Sequence, residues 1–216
     1  LKDGSEQTLR LTPENKEFTI AGAPSQAAVA GTYFVLGLEH ILEGIDHLLF
    51  VLALLILVKG WKKLTGAITT FTVAHSITLA LASLGFVHVP APPVEAIIAL
   101  SIVFVACEIV HGRLGRPGIT EKSPWLVTLT FGLLHGLGFA GALSEIGLPA
   151  QAIPAALLFF NVGVEAGQLL FVAVVLSIFG IAKHFRFPMP GFFQWIPPYA
   201  IGAVAMFWVI ERVAGF

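Results

Sequence analysis

The sequence predicts an all-α membrane protein, a polytopic bundle of about six transmembrane helices over 27–216 with a short β-like stub at 1–26. Three observations lead there. The chain is 56% hydrophobic and 12% charged, where a soluble domain has about 25% charged residues, and its mean hydropathy is +0.89. Apolar runs of about 18 residues or more recur along it. Basic residues gather in alternate connections between those runs.

The stub comes first. Thr8-Leu9-Arg10-Leu11-Thr12 and Glu17-Phe18-Thr19-Ile20 alternate apolar and polar residues around Pro13-Glu14-Asn15, which reads as two short strands and a turn. A lone hairpin is marginal in water, so the stub reads as the end of a larger β-rich domain. The start at Leu1 reads as a processed or truncated form, with no basic-then-apolar signal pattern. Cys107 is the single cysteine, which excludes an internal disulfide.

Six apolar spans follow, at approximately 29–58, 66–85, 94–111, 125–143, 153–181 and 195–214. The first and fifth are long enough to tilt or project. Lys59, Lys62 and Lys63 follow span one, Arg113, Arg116 and Lys122 follow span three, and Lys183 and Arg186 follow span five. The connections after spans two and four have no Lys or Arg. The positive-inside rule therefore assigns the basic loops to the cytoplasm and both termini to the extracytoplasmic side. Leu36-Gly37-Leu38-Glu39-His40 and Phe131-Gly132-Leu133-Leu134-His135 resemble each other as the halves of an inverted repeat would.

Span one carries the strongest chemical signal. Glu39-His40-Ile41-Leu42-Glu43-Gly44-Ile45-Asp46-His47 places three carboxylates and two imidazoles within an apolar run. Each ionisable group there costs roughly 2.5–3.5 kcal/mol on insertion scales. On one continuous helix, at about 100° per residue, all five share an arc of about 120°. That is more than packing needs, and the residue types suit a divalent cation. Further polar groups lie near mid-depth: Thr72, His75, Ser76 and Thr78 in span two, Ser101 in span three, His135 among glycines in span four. In span five Asn161, Glu165 and Gln168 share one face.

No Lys or Arg lies at comparable depth by sequence, so the buried carboxylates are expected to be neutralised by protonation, by His⁺ or by a bound cation. The expected ligands are His40, Glu43, Asp46, His47, His75, His135 and Glu165, with Glu39, Ser76, Asn161 and Gln168 behind them. Nitrogen and oxygen donors suit nickel, zinc, cobalt, iron or copper(II). A structural reading stands beside this one. A lone membrane His is often an interhelical hydrogen-bonding group, and Asn161 and Gln168 can serve as interhelical glue. Ser and Thr of span two can bond to their own helix. Glu95, Glu108 and His111 lie near interfaces and read as structural, and His88 and His184 as incidental.

These residues resemble the HupE/UreJ family of small bacterial membrane proteins. The resemblance rests on the Glu39–His47 stretch, close to the family's His-x-x-x-Gly-x-Asp-His pattern. It continues through Thr72-Val73-Ala74-His75-Ser76-Ile77-Thr78-Leu79, Phe131-Gly132-Leu133-Leu134-His135-Gly136-Leu137-Gly138-Phe139-Ala140 and Phe160-Asn161-Val162-Gly163-Val164-Glu165-Ala166-Gly167-Gln168-Leu169. It is most similar to a longer branch with an extracytoplasmic segment before the membrane domain. The resemblance implies a permease for a divalent metal, nickel first. His40 is followed by Ile41 where nickel-linked members commonly have Pro, which bears on the identity of the metal.

The expected function is thus secondary transport of a divalent transition metal, with membrane lipid and the ion as partners and no nucleic acid. A homo-oligomer or an extracytoplasmic partner is compatible with the sequence. No Gly-x-x-x-x-Gly-Lys-Ser/Thr motif is present, so energy would come from ion gradients or a partner. Two alternatives stay open. One is an intramembrane zinc-dependent hydrolase using three His, an acid and Ser76, although no Gly-x-Ser-x-Gly elbow is present. The other is a metal-binding assembly subunit.

Overall fold

The computed structural model describes residues 25–146, 153–184 and 191–215. The expected strands at Thr8–Thr12 and Glu17–Ile20 lie outside the described residues. The described part is helical, in the order α1 (Gln26–Glu43), α2 (Ile45–Leu57), α3 (Trp61–Ser83), α4 (Ala91–Arg113), α5 (Ile119–Lys122), α6 (Pro124–Ile146), α7 (Ile153–His184), a 3₁₀ turn (Gly191–Trp195) and α8 (Ile196–Ala214). Among the described residues four helical segments are long and apolar enough to cross a membrane: Trp61–Ser83, Ala91–Arg113, Ile153–Ala182 and Gly191–Ala214. α1 and α2 pass the same test together, making up to five.

The first span is not one continuous helix. α1 ends at Glu43 and α2 begins at Ile45 with a bend of 73°, around Gly44 at φ −74° and ψ 88°. The single five-residue stripe drawn across this stretch is therefore corrected, because a helical wheel does not survive a break. Glycine is poorly helical, by about 1 kcal/mol relative to alanine. Asp46 then falls in the first turn of α2, where the helix dipole favours a carboxylate.

α2 has 13 residues, or about 20 Å at 1.5 Å per residue, too short for a hydrocarbon layer of about 30 Å. Its sequence is apolar on nearly every face, as befits a helix enclosed by others. Phe50, Val51, Ala53, Leu54 and Leu57 are buried in one cluster with Leu64, Ile68 and Phe71 of α3, Ile102 and Val105 of α4, and Ile201 of α8. Three pairs surround it, α1 with α7, α3 with α6 and α4 with α8.

Small residues allow two of these pairs to pack backbone to backbone, the usual device where lipid removes the hydrophobic drive between helices. A side chain on Gly37 would meet the Phe160 carbonyl of α7, and one on Gly163 would meet the Phe34 carbonyl of α1. Gly132 and Gly136 likewise lie against Phe71 and His75 of α3. His40 and His135 each follow such a glycine by three residues, so the docking face of each helix also carries its histidine.

Glu108 is buried and accepts hydrogen bonds from the Ile119 and Thr120 amides at the start of α5, at 3.1 and 2.6 Å. It holds that short helix in place. Lys59, after α2, meets Glu121 of α5 at 3.0 Å.

Candidate metal centre

Four histidines converge at the centre of the bundle. His40 comes from the last turn of α1 and His47 from the first turn of α2, so the break at Gly44 turns both inward. His75 comes from the middle of α3 and His135 from α6. Each of His40, His47 and His75 offers a ring nitrogen such that the three atoms lie within 4.8 Å of one another. The His135 ring is 5.0 Å from that of His47, centroid to centroid. His75 and His135 are 0% and 1% exposed, beyond the reach of water. Phe50, Phe71 and Phe160 wall the group, with ring centroids 5.0–5.6 Å from the nearest imidazoles.

Neighbouring groups fix the proton on three of these rings. His47 Nδ1 is 3.0 Å from Asp46 Oδ1, and a carboxylate only accepts, so Nδ1 carries the hydrogen. His75 Nδ1 is 3.1 Å from Asn161 Oδ1. The Asn161 amide nitrogen donates to the Leu157 carbonyl at 2.8 Å, which orients its oxygen toward His75, so again Nδ1 donates. His135 Nε2 is 3.3 Å from Ser101 Oγ. That hydroxyl donates to the Ile98 carbonyl at 2.6 Å and accepts from Nε2–H. The opposite nitrogens, His47 Nε2, His75 Nε2 and His135 Nδ1, are then bare lone pairs.

Those same three atoms are buried without a hydrogen-bond partner among the described residues. Leaving a buried acceptor unsatisfied costs about 1–3 kcal/mol, and lone pairs cannot satisfy each other. A cation among His40, His47 and His75, each with a ring nitrogen within 4.8 Å of the others', would answer the lone pairs on His47 and His75. Metal–nitrogen bonds of about 2.0–2.1 Å put two donors at most about 4.2 Å apart, so the observed spread closes on an ion by small side-chain movements. The arrangement can strip water from a divalent cation and hold it among neutral imidazoles.

The other expected residues are placed as follows. Asp46 is half-buried and touches the group through His47. Its second oxygen lies 3.8 Å from the Arg212 guanidinium of α8. This corrects the expectation that no basic side chain reaches the buried carboxylates. Glu39 and Glu43 are exposed on α1, and Glu43 is not among the three-residue ligand group that geometry assembles. Glu165 is away from the imidazoles and accepts from Thr69 at 2.6 Å, and Gln168 accepts from Thr72 at 3.1 Å. Ser76 donates to its own helix at the Thr72 carbonyl, 2.7 Å away. Asn161 thus supports an imidazole, while Gln168 and Glu165 lie on an α3–α7 seam leading away from it.

Two contributors escaped the residue-by-residue reading. Ser101 was visible as a mid-depth hydroxyl, but nothing in the sequence links it to His135. Arg212 lies near the end of the last apolar run, where the sequence marks it as no more than an interfacial charge, and its carboxylate partners are far away in sequence.

Comparisons with known proteins give one finding of substance. No curated protein and no solved structure is significantly similar to the chain. The profile of the HupE / UreJ protein family matches residues 14–212. That family is associated with nickel or cobalt transport or with urease and hydrogenase maturation. With nearly its whole length matched, and with helices long and apolar enough for a bilayer, the chain is a membrane protein of the HupE/UreJ family.

Proposed function

We propose that the protein is a permease for a divalent transition metal, nickel first, in a bacterial inner membrane. One observation carries the reading. Two imidazoles of the His40–His47–His75 group, His47 and His75, are each fixed by a neighbour in the tautomer that leaves the other ring nitrogen bare, and His135 beside them is fixed likewise, in a chain of a family tied to nickel and cobalt. His40 and Asp46 complete the set of donors. Metal binding to neutral imidazoles needs no proton release from them.

In this reading α6 is the sixth span beside the four continuous segments and the α1–α2 pair, and both termini are extracytoplasmic. The broken first span fits transport. Discontinuous helices at mid-membrane place helix ends and backbone carbonyls at an ion site, and a 73° bend gives a hinge about which the site can open to either side. The α3–α7 seam, with Gln168 on Thr72 and Glu165 on Thr69, runs toward the Trp61 end of α3 and forms an inward path of oxygen ligands. Glu43 stands at the exposed end of α1, where it meets the hydrated ion.

The test is uptake of radiolabelled Ni²⁺ into liposomes containing the purified protein, with Zn²⁺, Co²⁺, Fe²⁺ and Cu²⁺ as competitors. Saturable uptake is expected, at least 100-fold reduced in His47→Ala and strongly reduced in Asp46→Asn. Retained uptake in both variants would sink the site assignment, and tight Ni²⁺ binding without flux would reject the permease.

One observation favours a second reading. A cavity of about 460 Å³ between α3 and α7 is lined by Ser76, Ala80, Leu84, Leu157, Leu158 and Asn161, beside His75. A mostly apolar cleft next to a metal suits a lipid ester or amide, as an intramembrane zinc hydrolase requires. Hydrolysis of such a substrate by the zinc-loaded protein, with no ion flux, would select it.

A further inference from the structure

Among the described residues Arg212 is the cationic side chain that an ion pair joins to the carboxylate of the centre, and it sits in a chain of contacts that runs inward. Glu95 of α4 is about half exposed, with its side chain at 47%, while Arg212 and Asp46 are each at 22% and His47 at 8%. The Arg212 Nε lies 3.6 Å from the Glu95 carboxylate, and its NH1 donates to the Glu95 carbonyl at 2.8 Å. Its NH2 lies 3.8 Å from Asp46 Oδ2. The guanidinium also lies 5.8 Å from the centre of the Trp208 ring, a face that attracts a cation. Asp46 therefore has one oxygen on the His47 imidazole and the other toward a tethered positive charge.

We infer that Arg212 is an affinity-setting residue, a built-in cation that shares Asp46 with the incoming metal and keeps the centre from holding that metal too tightly to release it. This rests on the metal-permease reading. The alternative is that Arg212 simply positions Asp46, and geometry decides between them. Asp46 Oδ1 is already held by the His47 backbone amide at 2.8 Å and by the His47 ring at 3.0 Å. The Arg212 approach at 3.8 Å is too long for a hydrogen bond, and the one short bond of Arg212 goes to a carbonyl of α4. Arg212 thus contributes charge to Asp46, not orientation. Removing that charge leaves Asp46 and Glu95 unopposed and strengthens their attraction for a divalent ion, moderated by solvent at a site this open.

The test uses the intact protein in nanodiscs, with Ni²⁺ alone as ligand, and the same variants in liposomes. Arg212→Gln retains an N–H donor for the Glu95 carbonyl and loses the charge, and Arg212→Lys retains the charge. The Kd of Arg212→Gln is expected to fall about tenfold, or 1.4 kcal/mol, and its uptake to show a lower KM together with a lower kcat. Arg212→Lys should stay within about twofold of the parent in both. A structural role would weaken binding and would not separate KM from kcat in this way. An unchanged or raised Kd in Arg212→Gln overturns the inference and leaves the permease standing. If the parent protein binds no Ni²⁺ while its circular dichroism is that of a folded helical bundle, the permease reading falls and this inference falls with it.

Discussion

The α1–α2 break and the α3–α7 seam solve the problem of polar groups in a membrane in opposite ways. At the break, residues adjacent in sequence are parted in space. Glu39 and Glu43 face outward while His40 and His47, one and four positions further on, face the centre. Along the seam, residues 86 to 96 positions apart are joined, Thr69 to Glu165, Thr72 to Gln168 and His75 to Asn161. A continuous helix can present a regular polar ladder to a partner, because its period is fixed at 3.6 residues. A broken helix gives up that regularity and gains two helix ends and a change of direction. The comparison teaches that a helix break can turn two ligands close in sequence, His40 and His47, toward one centre, while continuous helices bring His75 and His135 to it together with groups that orient them.

Several outcomes would break or sharpen that contrast. The largest effect beyond loss of a ligand itself is expected from Asn161→Ala, which touches no ion but removes the acceptor that fixes the His75 proton. Ni²⁺ affinity should fall by about 10–100-fold, the usual consequence of losing an outer partner of a ligating histidine. Calorimetric titration checks it, and an unaltered affinity would reduce the seam to packing.

Gly44→Ala comes next. A methyl group there would lie 2.8 Å from both the His40 carbonyl and His47 Nδ1, and 3.3 Å from Asp46 Oδ1. Ni²⁺ affinity should fall about tenfold through a displaced His47 ring, with little change in thermal stability, on the order of 1 kcal/mol. If stability collapses and affinity in the surviving folded fraction does not change, the break serves the fold and not the site.

Thr72→Val removes the Thr72–Gln168 bond while keeping the shape of the side chain. Interhelical hydrogen bonds in membranes average about 0.6 kcal/mol, so detergent unfolding should register a small loss and Ni²⁺ affinity almost none. Smallest of all is Glu39→Gln. With its carboxylate exposed on α1, Ni²⁺ Kd should stay within about twofold, and a tenfold change would show that the outward half of the sequence stretch belongs to the site after all.

Much of this was legible in the sequence, for physical reasons that can be named. Hydropathy located the long apolar segments, although it drew α1 and α2 as one span, because a bilayer demands long apolar runs with every backbone group satisfied internally. The positions of His75 and Asn161 stood out because polar groups at depth are costly. Membership of the HupE/UreJ family was readable from four short stretches that the profile match then covered. The break was not read, although its signals were present. Gly44 interrupts a helical pattern, and Asp46 two residues later is an acid placed as at a helix start. These signals were outweighed by an apolar run long enough to look like one span.

The sequence by itself determined that this chain belongs in a membrane, that it is helical there, and which polar residues its apolar segments carry. Composition and period decide those matters locally, one helix at a time. Only the tertiary structure decided that the rings of His40, His47, His75 and His135 lie together, which nitrogen of His47, His75 and His135 is left bare, and that Arg212 stands beside Asp46. Each of those facts depends on the angle at Gly44 and on glycine contacts that let α1 meet α7 and α3 meet α6. A distance between residues on different helices is a property of how the helices pack, and no one-dimensional pattern contains it.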